Sequence, residues 1–206
     1  MKKKPAKSTL VRDIELVFEI SCLRHLDRSW KRFFNPGFAN NAEHIFRVTW
    51  TALIIAAQEQ RGDHEKILKM ALLHDIGESR TGDVDYITRQ YTTRDDDRAM
   101  SDILKSTSLE EEFSVLWKEY EERTSIESQI VKDADTLDVE IDLREARARG
   151  QEIGTFWDKE RRERVYPTLF TASARKMWAE IHRQSPHDWH LNAPNRFTDG
   201  DWKKEN

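Results

Sequence analysis

The sequence contains a single cysteine, Cys22, and no long run of apolar residues. One thiol cannot form an internal disulfide, which favours a protein of a reducing compartment. The apolar patch at residues 52–57 is far too short to span a membrane. The N-terminus is basic but lacks the apolar segment that a signal peptide requires. We therefore expect a cytoplasmic protein with no membrane contact.

Glycine and proline are also scarce, and basic residues are not in excess. The chain has seven glycines and five prolines, with none of either between residues 84 and 149. A chain with so few backbone breakers and no alternating apolar pattern is typical of helices rather than sheets. The net charge of −4 excludes a general nucleic-acid binder, because phosphate backbones require a basic surface.

The residues that are abundant point to amphipathic helices around one core. Charged residues make up 35% of the chain and hydrophobic residues 37%. A length of 206 residues favours one domain. We predict an all-α fold, a single compact helical bundle over residues 9–184. A basic disordered tail at 1–8 precedes it, and a loop-like extension at 185–206, anchored if at all by Trp189 and Trp202, follows it.

Capping residues and apolar periodicity predict where the helices lie. Asn40 with Glu43, and Thr124 with Glu127, have the spacing of capping boxes. Gly150 is placed to end the second of these helices. We expect helices over residues 10–26, 41–58, 63–74, 125–149 and 158–183, the last interrupted near Pro167.

The apolar faces of these helices predict how they pack. The helix after Asn40 is apolar on nearly all sides, so we expect it at the centre of the bundle. The first helix and the long helix from residue 125 each carry one apolar stripe. The stripe residues are Leu10, Ile14, Val17, Phe18 and Cys22 in the first, and Ile130, Ala134, Leu137 and Ile141 in the second.

The stretch from Ala71 to Asp83 holds the densest group of chemically active side chains. His74 and Asp75 are adjacent, and Glu78 follows four residues after the histidine. Imidazole and carboxylate groups are the usual ligands of a hydrolytic divalent metal. A further carboxylate beside such a site, such as Glu78, can orient or deprotonate a metal-bound water.

Two more ligands are available on other helices. His44 lies on a buried face, and Asp135 borders the core stripe of the long helix, whereas Asp133 projects further round. Each of these alone fits better as a hydrogen-bonded core residue or as part of a solvated face. Buried charges cost several kcal/mol unless they are paired or metal-bound, so a joint explanation is favoured. We predict one metal site formed by His44, His74, Asp75 and Asp135.

In this order and at these spacings, the chain resembles the HD-domain metal-dependent phosphohydrolases, whose signature is His, His-Asp, Asp. The resemblance extends over roughly residues 10–183 and is greatest to the small HD-domain 5′-deoxynucleotidases. The segments that carry it are Ala-Glu-His44, Leu-Leu-His74-Asp75-Ile-Gly-Glu78, Thr-Gly-Asp83, Leu-Trp117-Lys-Glu-Tyr120-Glu and Val-Lys-Asp-Ala-Asp135.

The resemblance implies a helical HD-domain core, commonly dimeric, that holds one divalent ion such as Co²⁺, Mn²⁺, Mg²⁺, Fe²⁺ or Zn²⁺. It implies that Glu78 handles the attacking water and that Asp83 faces the substrate sugar or phosphate. As a turn residue after Gly82, Asp83 fits nearly as well. The expected reaction removes the 5′-phosphate from (deoxy)nucleoside monophosphates by attack of a metal-bound water.

The chain departs from that family where the phosphate is bound. The family has an arginine immediately before a tryptophan, and here Ser29 precedes Trp30. Arg28, Lys31 or Arg80 could supply the positive charge instead, and Trp30 could stack on a base or sugar. We expect this basic link to fold over the mouth of the site. A surface loop whose tryptophan fills the core is an equally good interpretation.

Three other functions stay open at this point. A cyclic-nucleotide or cyclic-dinucleotide phosphodiesterase needs a second metal and more histidines, and none of the seven histidines lies between Asp75 and Asp135. A (p)ppGpp-type pyrophosphohydrolase has a similar metal set but a different motif around its glutamate. A non-catalytic HD module, acting as a sensor or scaffold, would have no need of Glu78 beside an open metal position.

Overall fold

The structure, a computed structural model, describes residues 7–34 and 38–193. Within these ranges it contains helices and no β-strand, which confirms the all-α prediction. One isolated antiparallel bridge joins Asp27 to Asn40. The helices are α1 (Thr9–Ser21), α2 (Lys31–Phe34), α3 (Asn41–Glu59), α4 (His64–Leu73), α5 (Glu78–Thr81), α6 (Asp96–Leu104), α7 (Glu110–Glu122), α8 (Ile126–Ala148), α9 (Ile153–Phe156), α10 (Asp158–Arg164), α11 (Ala172–Arg183) and α12 (Asp188–Leu191).

Side-chain caps fix the starts of the two helices that carry most of the core. The Asn40 side chain accepts a hydrogen bond from the Glu43 amide at 3.0 Å, and Glu43 accepts one from the Asn40 amide at 3.2 Å. The predicted capping box of α3 is therefore present. The box of α8 is one residue further along than predicted, because Ser125 has the extended cap conformation and pairs with Ser128.

The core lies where α3, α4 and α8 meet. α3 packs against both other helices, as its composition predicts, and α11 closes one side of α8. The α8 stripe is fully buried at Ile130, Ala134 and Leu137, while Ile141 is only half-buried. Burial of such side chains is the main favourable contribution to folding.

One side of this core is left uncovered. Phe46, Trp50 and Ile54 of α3 are exposed, so this helix is central without being buried on all sides. Phe46 and Trp50 border an apolar groove between α1, α3, α4 and α7, with a cavity volume of about 550 Å³.

Helix α1 buries Leu16 but turns most of its predicted apolar stripe outward, and it contacts the bundle through polar side chains as well. Arg12 donates hydrogen bonds to the carbonyl oxygens of Ile103 and Lys105, both at 3.0 Å, and Glu19 accepts one from Arg80 at 2.6 Å. The apolar stripe points away from the bundle, and the side chains of Leu10, Ile14, Val17 and Phe18 are 49–71% exposed. An amphipathic helix normally has the opposite orientation.

The segments outside the long helices differ in detail from the prediction. The basic link before α3, for which no helix was predicted, contains the short helix α2. The chain is interrupted at Pro167, as predicted, between α10 and α11. Trp189 is 80% exposed, so it does not anchor the C-terminal extension to the bundle. Trp202 lies outside the described residues, as do all of residues 1–6 and 194–206. Among the described helices, none combines the length and the apolar character that crossing a membrane would take.

Asp133 is buried, which corrects the prediction that it projects away from the core. Its carboxylate accepts hydrogen bonds from the amides of Phe170 and Thr171, at 2.9 and 2.8 Å, and from the Thr171 hydroxyl at 2.7 Å. The loop before α11 covers this face of α8. The prediction considered α8 alone and therefore did not include the loop that buries Asp133. Asp133 therefore holds the loop in place.

Replacing Asp133 with alanine should lower the free energy of unfolding by about 2–4 kcal/mol, because two buried amides lose their acceptor. Urea unfolding followed by circular dichroism measures the change. Asp102→Ala removes an exposed carboxylate on α6 and should shift the free energy by less than about 0.5 kcal/mol. If both variants unfold like the wild type, Asp133 does not anchor the loop.

Candidate metal centre

The four predicted metal ligands come from three parts of the chain; His44, His74 and Asp75 meet at one point, and Asp135 lies beside His44. His44 lies in the first turn of α3, His74 and Asp75 follow α4, and Asp135 lies on α8. His44 Nε2 is 3.2 Å from Asp75 Oδ2, 3.2 Å from His74 Nε2 and 3.3 Å from Asp135 Oδ1. His44, His74 and Asp75 each offer one ligand atom within 4.8 Å of the others.

These separations match those of neighbouring ligands on one metal ion. Bonds of about 2.0–2.2 Å from nitrogen and oxygen to a metal place adjacent donor atoms roughly 3.0–3.5 Å apart. Two imidazoles with two carboxylates form a donor set suited to several divalent ions. The residues present therefore fit a divalent metal.

The hydrogen bonds behind the two histidines support the same interpretation. His74 Nδ1 is 2.7 Å from the Ala71 carbonyl oxygen, which can only accept, so Nδ1 carries the proton and Nε2 presents a lone pair to the centre. His44 Nδ1 is 2.6 Å from Asp138 Oδ2, which selects the same arrangement. Burial alone would raise the pKa of Asp138, but His44 and Arg47 outweigh it and keep this pKa below its ordinary value.

Glu78 is held from two sides next to the ligands. It begins α5 and is buried. Asn41 donates a hydrogen bond to Glu78 Oε2, and Arg94 Nη1 donates one to Oε1 at 3.1 Å. Burial raises the pKa of Glu78 to about 8, and the nearby carboxylates of Asp75 and Asp83 add to the effect. Glu78 is thus a fixed carboxyl group whose pKa lies close to neutral pH.

Sequence reasoning missed both partners of Glu78. Asn41 stands three residues before His44, so the two share one face of α3, and this spacing is a signal that could have been used. Arg94 follows an irregular loop, and no pattern in the sequence connects it with Glu78. Arg94 also donates to the Gly82 carbonyl oxygen and is anchored by Asp96.

Arg28 and Asp83 lie at the same centre. Arg28 is buried, with Nη1 at 3.1 Å from Asp75 Oδ2 and at 3.9 Å from Glu78 Oε2, and with Nε at 3.4 Å from Asp83 Oδ2. Asp83 accepts hydrogen bonds from the Ser29 amide at 2.8 Å and from the Ser29 hydroxyl at 3.2 Å. Asp83 therefore fixes the turn that carries Arg28 into the site.

Two other candidate basic residues are not brought to the centre. Lys31 pairs with Asp27, one helical turn before it, at 2.7 Å. Arg80 turns outward from α5 and pairs with Glu19 of α1 at 2.6 Å. Each side chain forms an ion pair with a nearby carboxylate on the outside of the bundle. Selecting residues by their positive charge alone does not take such competing carboxylates into account.

Lys132 is a further positive group that sequence reasoning did not select, although it stands three residues before Asp135. Its ammonium group is 2.7 Å from Asp135 Oδ2. Burial alone would raise the pKa of Asp135, but Lys132 and His44 outweigh it and hold this pKa well below its ordinary value. Asp135 is therefore available as an anionic ligand.

Two cavities open onto the centre, with volumes of about 430 and 410 Å³. We name them the cationic cavity and the aromatic cavity. Arg94, Arg123 and Trp117 line only the cationic cavity, and Trp30 and Tyr86 line only the aromatic cavity. The residues common to both are Arg28, Asp83, Arg89, Lys132 and Asp135.

Trp30 belongs to an aromatic cluster in the second of these cavities. Its ring centroid is 5.1 Å from that of Trp157, 6.3 Å from that of Tyr86 and 6.5 Å from that of Phe33. Trp30 thus packs against other rings and also forms part of a cavity wall, so it combines the two interpretations that the sequence left open.

Comparison with known proteins gives a consistent result. A 5′-deoxynucleotidase of Danio rerio is 33% identical over 109 residues, which cover 50% of this chain and 54% of the relative. A 5′-deoxynucleotidase of Dictyostelium discoideum is also 33% identical over 109 residues, covering 48% of this chain and 57% of the relative. The chain spans about half the length of the curated relatives it matches.

A solved structure of a conserved hypothetical protein from Pyrococcus furiosus has a TM-score of 0.67 and 25% identity, covering 83% of this chain and 99% of that chain. The model of the HD domain family matches residues 20–178, a range that contains all four of the residues that meet at the centre. The family resemblance inferred from the sequence is confirmed, and this chain belongs to the HD-domain family.

Proposed function

We propose that this protein is a metal-dependent phosphomonoester hydrolase that removes the 5′-phosphate from nucleoside or deoxynucleoside monophosphates. One observation carries the proposal. Two buried histidines present Nε2 to the same point as the Asp75 carboxylate, with Asp135 next to His44 and the buried Glu78 nearby. The similarity to 5′-deoxynucleotidases over about half of the chain supports the choice of substrate.

His44, His74, Asp75 and Asp135 would hold the metal ion. A divalent cation at this position supplies charge that makes water more acidic and neutralises the phosphoryl group. Glu78 accepts a proton from the attacking water. Burial and the nearby carboxylates raise its pKa, and a divalent cation beside it would lower this pKa again and favour the carboxylate form that can accept the proton. Asn41 and Arg94 keep its two oxygens in a fixed orientation, which lowers the cost of reaching the reactive geometry.

Arg28 is the residue that we propose as the phosphate ligand. Its guanidinium group is buried beside the metal ligands and beside Glu78, and its planar donors match phosphate oxygens. It thus takes the role of the arginine that the family has immediately before the tryptophan. Trp30 and Tyr86 offer ring faces to the nucleoside in the aromatic cavity. Asp83 is within reach of the sugar while it holds the Ser29 turn.

The identity of the metal and the compartment are part of the proposal. Two imidazoles and two carboxylates suit Co²⁺, Mn²⁺, Mg²⁺, Fe²⁺ or Zn²⁺, and a comparison of activity with each ion would distinguish them. The proposed location is cytoplasmic, and the single exposed thiol, which is compatible with a reducing compartment, supports it.

The proposal includes a homodimer formed through the uncovered apolar face. Eight large apolar side chains on α1, α3 and α4 are each 45–71% exposed: Leu10, Ile14, Val17, Phe18, Phe46, Trp50, Ile54 and Leu72. Buried aromatic side chains contribute about 150–250 Å² each, so this set provides an area on the order of the roughly 800 Å² per partner of a stable interface. A second copy, related by a twofold axis, presents the same stripe in return.

Phosphate release from a panel of substrates tests the function. We expect turnover of nucleoside 5′-monophosphates with at least one of the five ions. Cyclic nucleotides, cyclic dinucleotides and (p)ppGpp serve as the substrates of the alternative functions. If a cyclic compound or (p)ppGpp is the better substrate, or if no compound is hydrolysed with any ion, the proposed function is wrong.

His74→Ala and Asp135→Ala should each abolish metal binding and hydrolysis, because the remaining ligands form a charged and incomplete site. Elemental analysis of the purified variants measures the metal content. His64→Ala, a change at an exposed histidine of α4, should keep the wild-type content. Stoichiometric metal in either of the first two variants would remove that residue from the ligand set.

Glu78→Gln should retain the metal and lose about 100-fold or more in kcat, because the amide cannot accept a proton from water. Steady-state kinetics and elemental analysis check this on the same preparation. Glu111→Gln, at an exposed position of α7, is the matched control and should behave like the wild type. A Glu78→Gln variant with nearly full kcat would show that Glu78 is only a structural carboxyl group.

Phe18→Glu combined with Trp50→Glu should convert a dimer to a monomer, because each dimer would bury four additional charges. Light scattering coupled to size-exclusion chromatography measures the mass. Tyr91→Glu, which changes an aromatic residue that is 82% exposed elsewhere, should leave the dimer intact. A wild-type protein that is monomeric at all concentrations, or a double variant that stays dimeric, contradicts this interface.

A further inference from the structure

Arg161 of α10 is a buried arginine that is held in place through one of its three nitrogens. Its Nε donates a hydrogen bond to Oε1 of Glu140, a buried residue of α8. The other oxygen of that carboxylate, Oε2, is 2.9 Å from Nε2 of His182 on α11. Glu140 is therefore fixed from two sides, and it fixes the plane of the Arg161 guanidinium group in turn.

The two terminal nitrogens of Arg161 remain available as donors. Neither Nη1 nor Nη2 has a hydrogen-bond partner among the residues that the structure describes. Arg161 lines the aromatic cavity together with Trp30 and Tyr86. An arginine that only joined α10 to α8 would be expected to use these nitrogens on protein acceptors, because unpaired donors inside a protein are costly. A molecule in the aromatic cavity can supply the missing acceptors.

The hydroxyl groups of two threonines in the wall of the same cavity are already engaged. Thr136 donates to the Lys132 carbonyl oxygen at 2.9 Å, and Thr168 donates to the Val165 carbonyl oxygen at 2.7 Å. The Val165 side chain adds apolar surface to the wall. Arg161 thus offers free donors where its neighbours offer apolar groups or hydroxyls in use, which suits a flat ring with polar atoms at its edge.

The charge of Arg161 favours a neutral group over a further phosphate. The Glu140 carboxylate balances this charge directly. Arg28, in contrast, lies among the proposed metal ligands, where a phosphoryl group is expected. A guanidinium group that is already neutralised keeps its hydrogen-bond donors but has less need of an anion.

The distance along α8 also fits a base at Arg161. Glu140 follows Asp135 by five residues on this helix, which corresponds to roughly 7.5 Å along the helix axis. In a nucleotide the sugar separates the phosphate from the base by a comparable length. A phosphate at the metal centre would therefore place the base near Arg161, between the aromatic side chains of the cavity.

We propose that Arg161 recognises the base, and that the preferred substrates are 5′-monophosphates of 6-oxopurine nucleosides, whose base is guanine or hypoxanthine. This inference rests on the proposed function, because it uses the same metal centre and the same cavity. With Nε engaged, Nη1 and Nη2 form a pair of donors that matches the adjacent O6 and N7 acceptors of such a base. Adenine has an amino group at position 6, which is itself a donor and opposes Arg161. Cytosine also has two adjacent acceptors, but its smaller ring extends less far from the sugar.

The test compares kcat/KM for dGMP, dIMP, dAMP and dCMP in the wild type and in Arg161→Lys. The wild type should favour dGMP and dIMP over dAMP by about 10- to 100-fold, the discrimination that a paired arginine contact provides. Lysine keeps a positive charge beside Glu140 but has no planar pair of donors, so this ratio should fall by about 10-fold or more. Arg162→Lys, the same change at the exposed neighbouring residue of α10, is the matched control and should keep the wild-type ratio.

A modified substrate tests the same contact without changing the protein. In 7-deaza-dGMP a carbon replaces N7, so one of the two acceptors is lost. The wild type should hydrolyse it about 10-fold less efficiently than dGMP, and Arg161→Lys should not distinguish the two compounds. This comparison decides the question even if the variant does not fold, which its melting temperature shows.

Equal kcat/KM for dGMP and dAMP in the wild type, or a higher value for dCMP, would overturn the recognition of 6-oxopurines and leave the proposed function standing. An unchanged ratio in a folded Arg161→Lys variant would also overturn it, as would full activity of the wild type on 7-deaza-dGMP. If none of these compounds is hydrolysed with any of the five ions, the proposed function itself fails, and this inference fails with it.

Discussion

The repulsion between carboxylates at the crossing of α3, α4 and α8 is the constraint on which the rest of this structure depends. Oxygens of Asp75 and Asp135 lie within 3.2 and 3.3 Å of one imidazole nitrogen, and Glu78 and Asp83 are close by. Two like charges about 4 Å apart cost about 4 kcal/mol even at a protein-like dielectric constant. Arg28, Arg94 and Lys132 each neutralise part of this charge, and a divalent cation fits the remainder.

The groups behind the ligands explain why the centre has a defined geometry. Asp138 orients His44 and is itself fixed by Arg47, which also pairs with Asp142. The Ala71 carbonyl oxygen orients His74 through the backbone of α4. Orientation from a second layer of hydrogen bonds is what keeps metal ligands within the narrow range that a metal accepts. Helix α8 thus contributes one proposed ligand, Asp135, and, about one turn later, the residue that supports another proposed ligand, His44.

The helical fold and the four central residues could be predicted because apolar residues recur along the sequence with the spacing of a helix, and the four residues stand at defined positions relative to them. His44, His74 and Asp135 occupy positions on or beside apolar stripes, and helix geometry converts these positions into a common direction. Asp133 was misplaced because a loop from a distant part of the chain covers it. Arg94 left no periodic signal, since it lies outside the helices and reaches Glu78 through a tertiary contact. Helix α1 was predicted as a helix, but the direction of its stripe depends on Arg12 and Glu19.

The bond between Arg94 and Glu78 links two properties of the protein that could otherwise change independently. Arg94 stands at the end of the loop that also carries Tyr86 and Arg89, and this loop contributes residues to both cavities. A substitution, insertion or deletion that reshapes this loop for a different nucleotide also displaces the donor that orients Glu78. Effects of such changes on selectivity and on turnover are therefore non-additive. In evolutionary terms, descendants of this chain would have to acquire a new substrate preference in steps that keep Arg94 in place, or replace its contact at the same time.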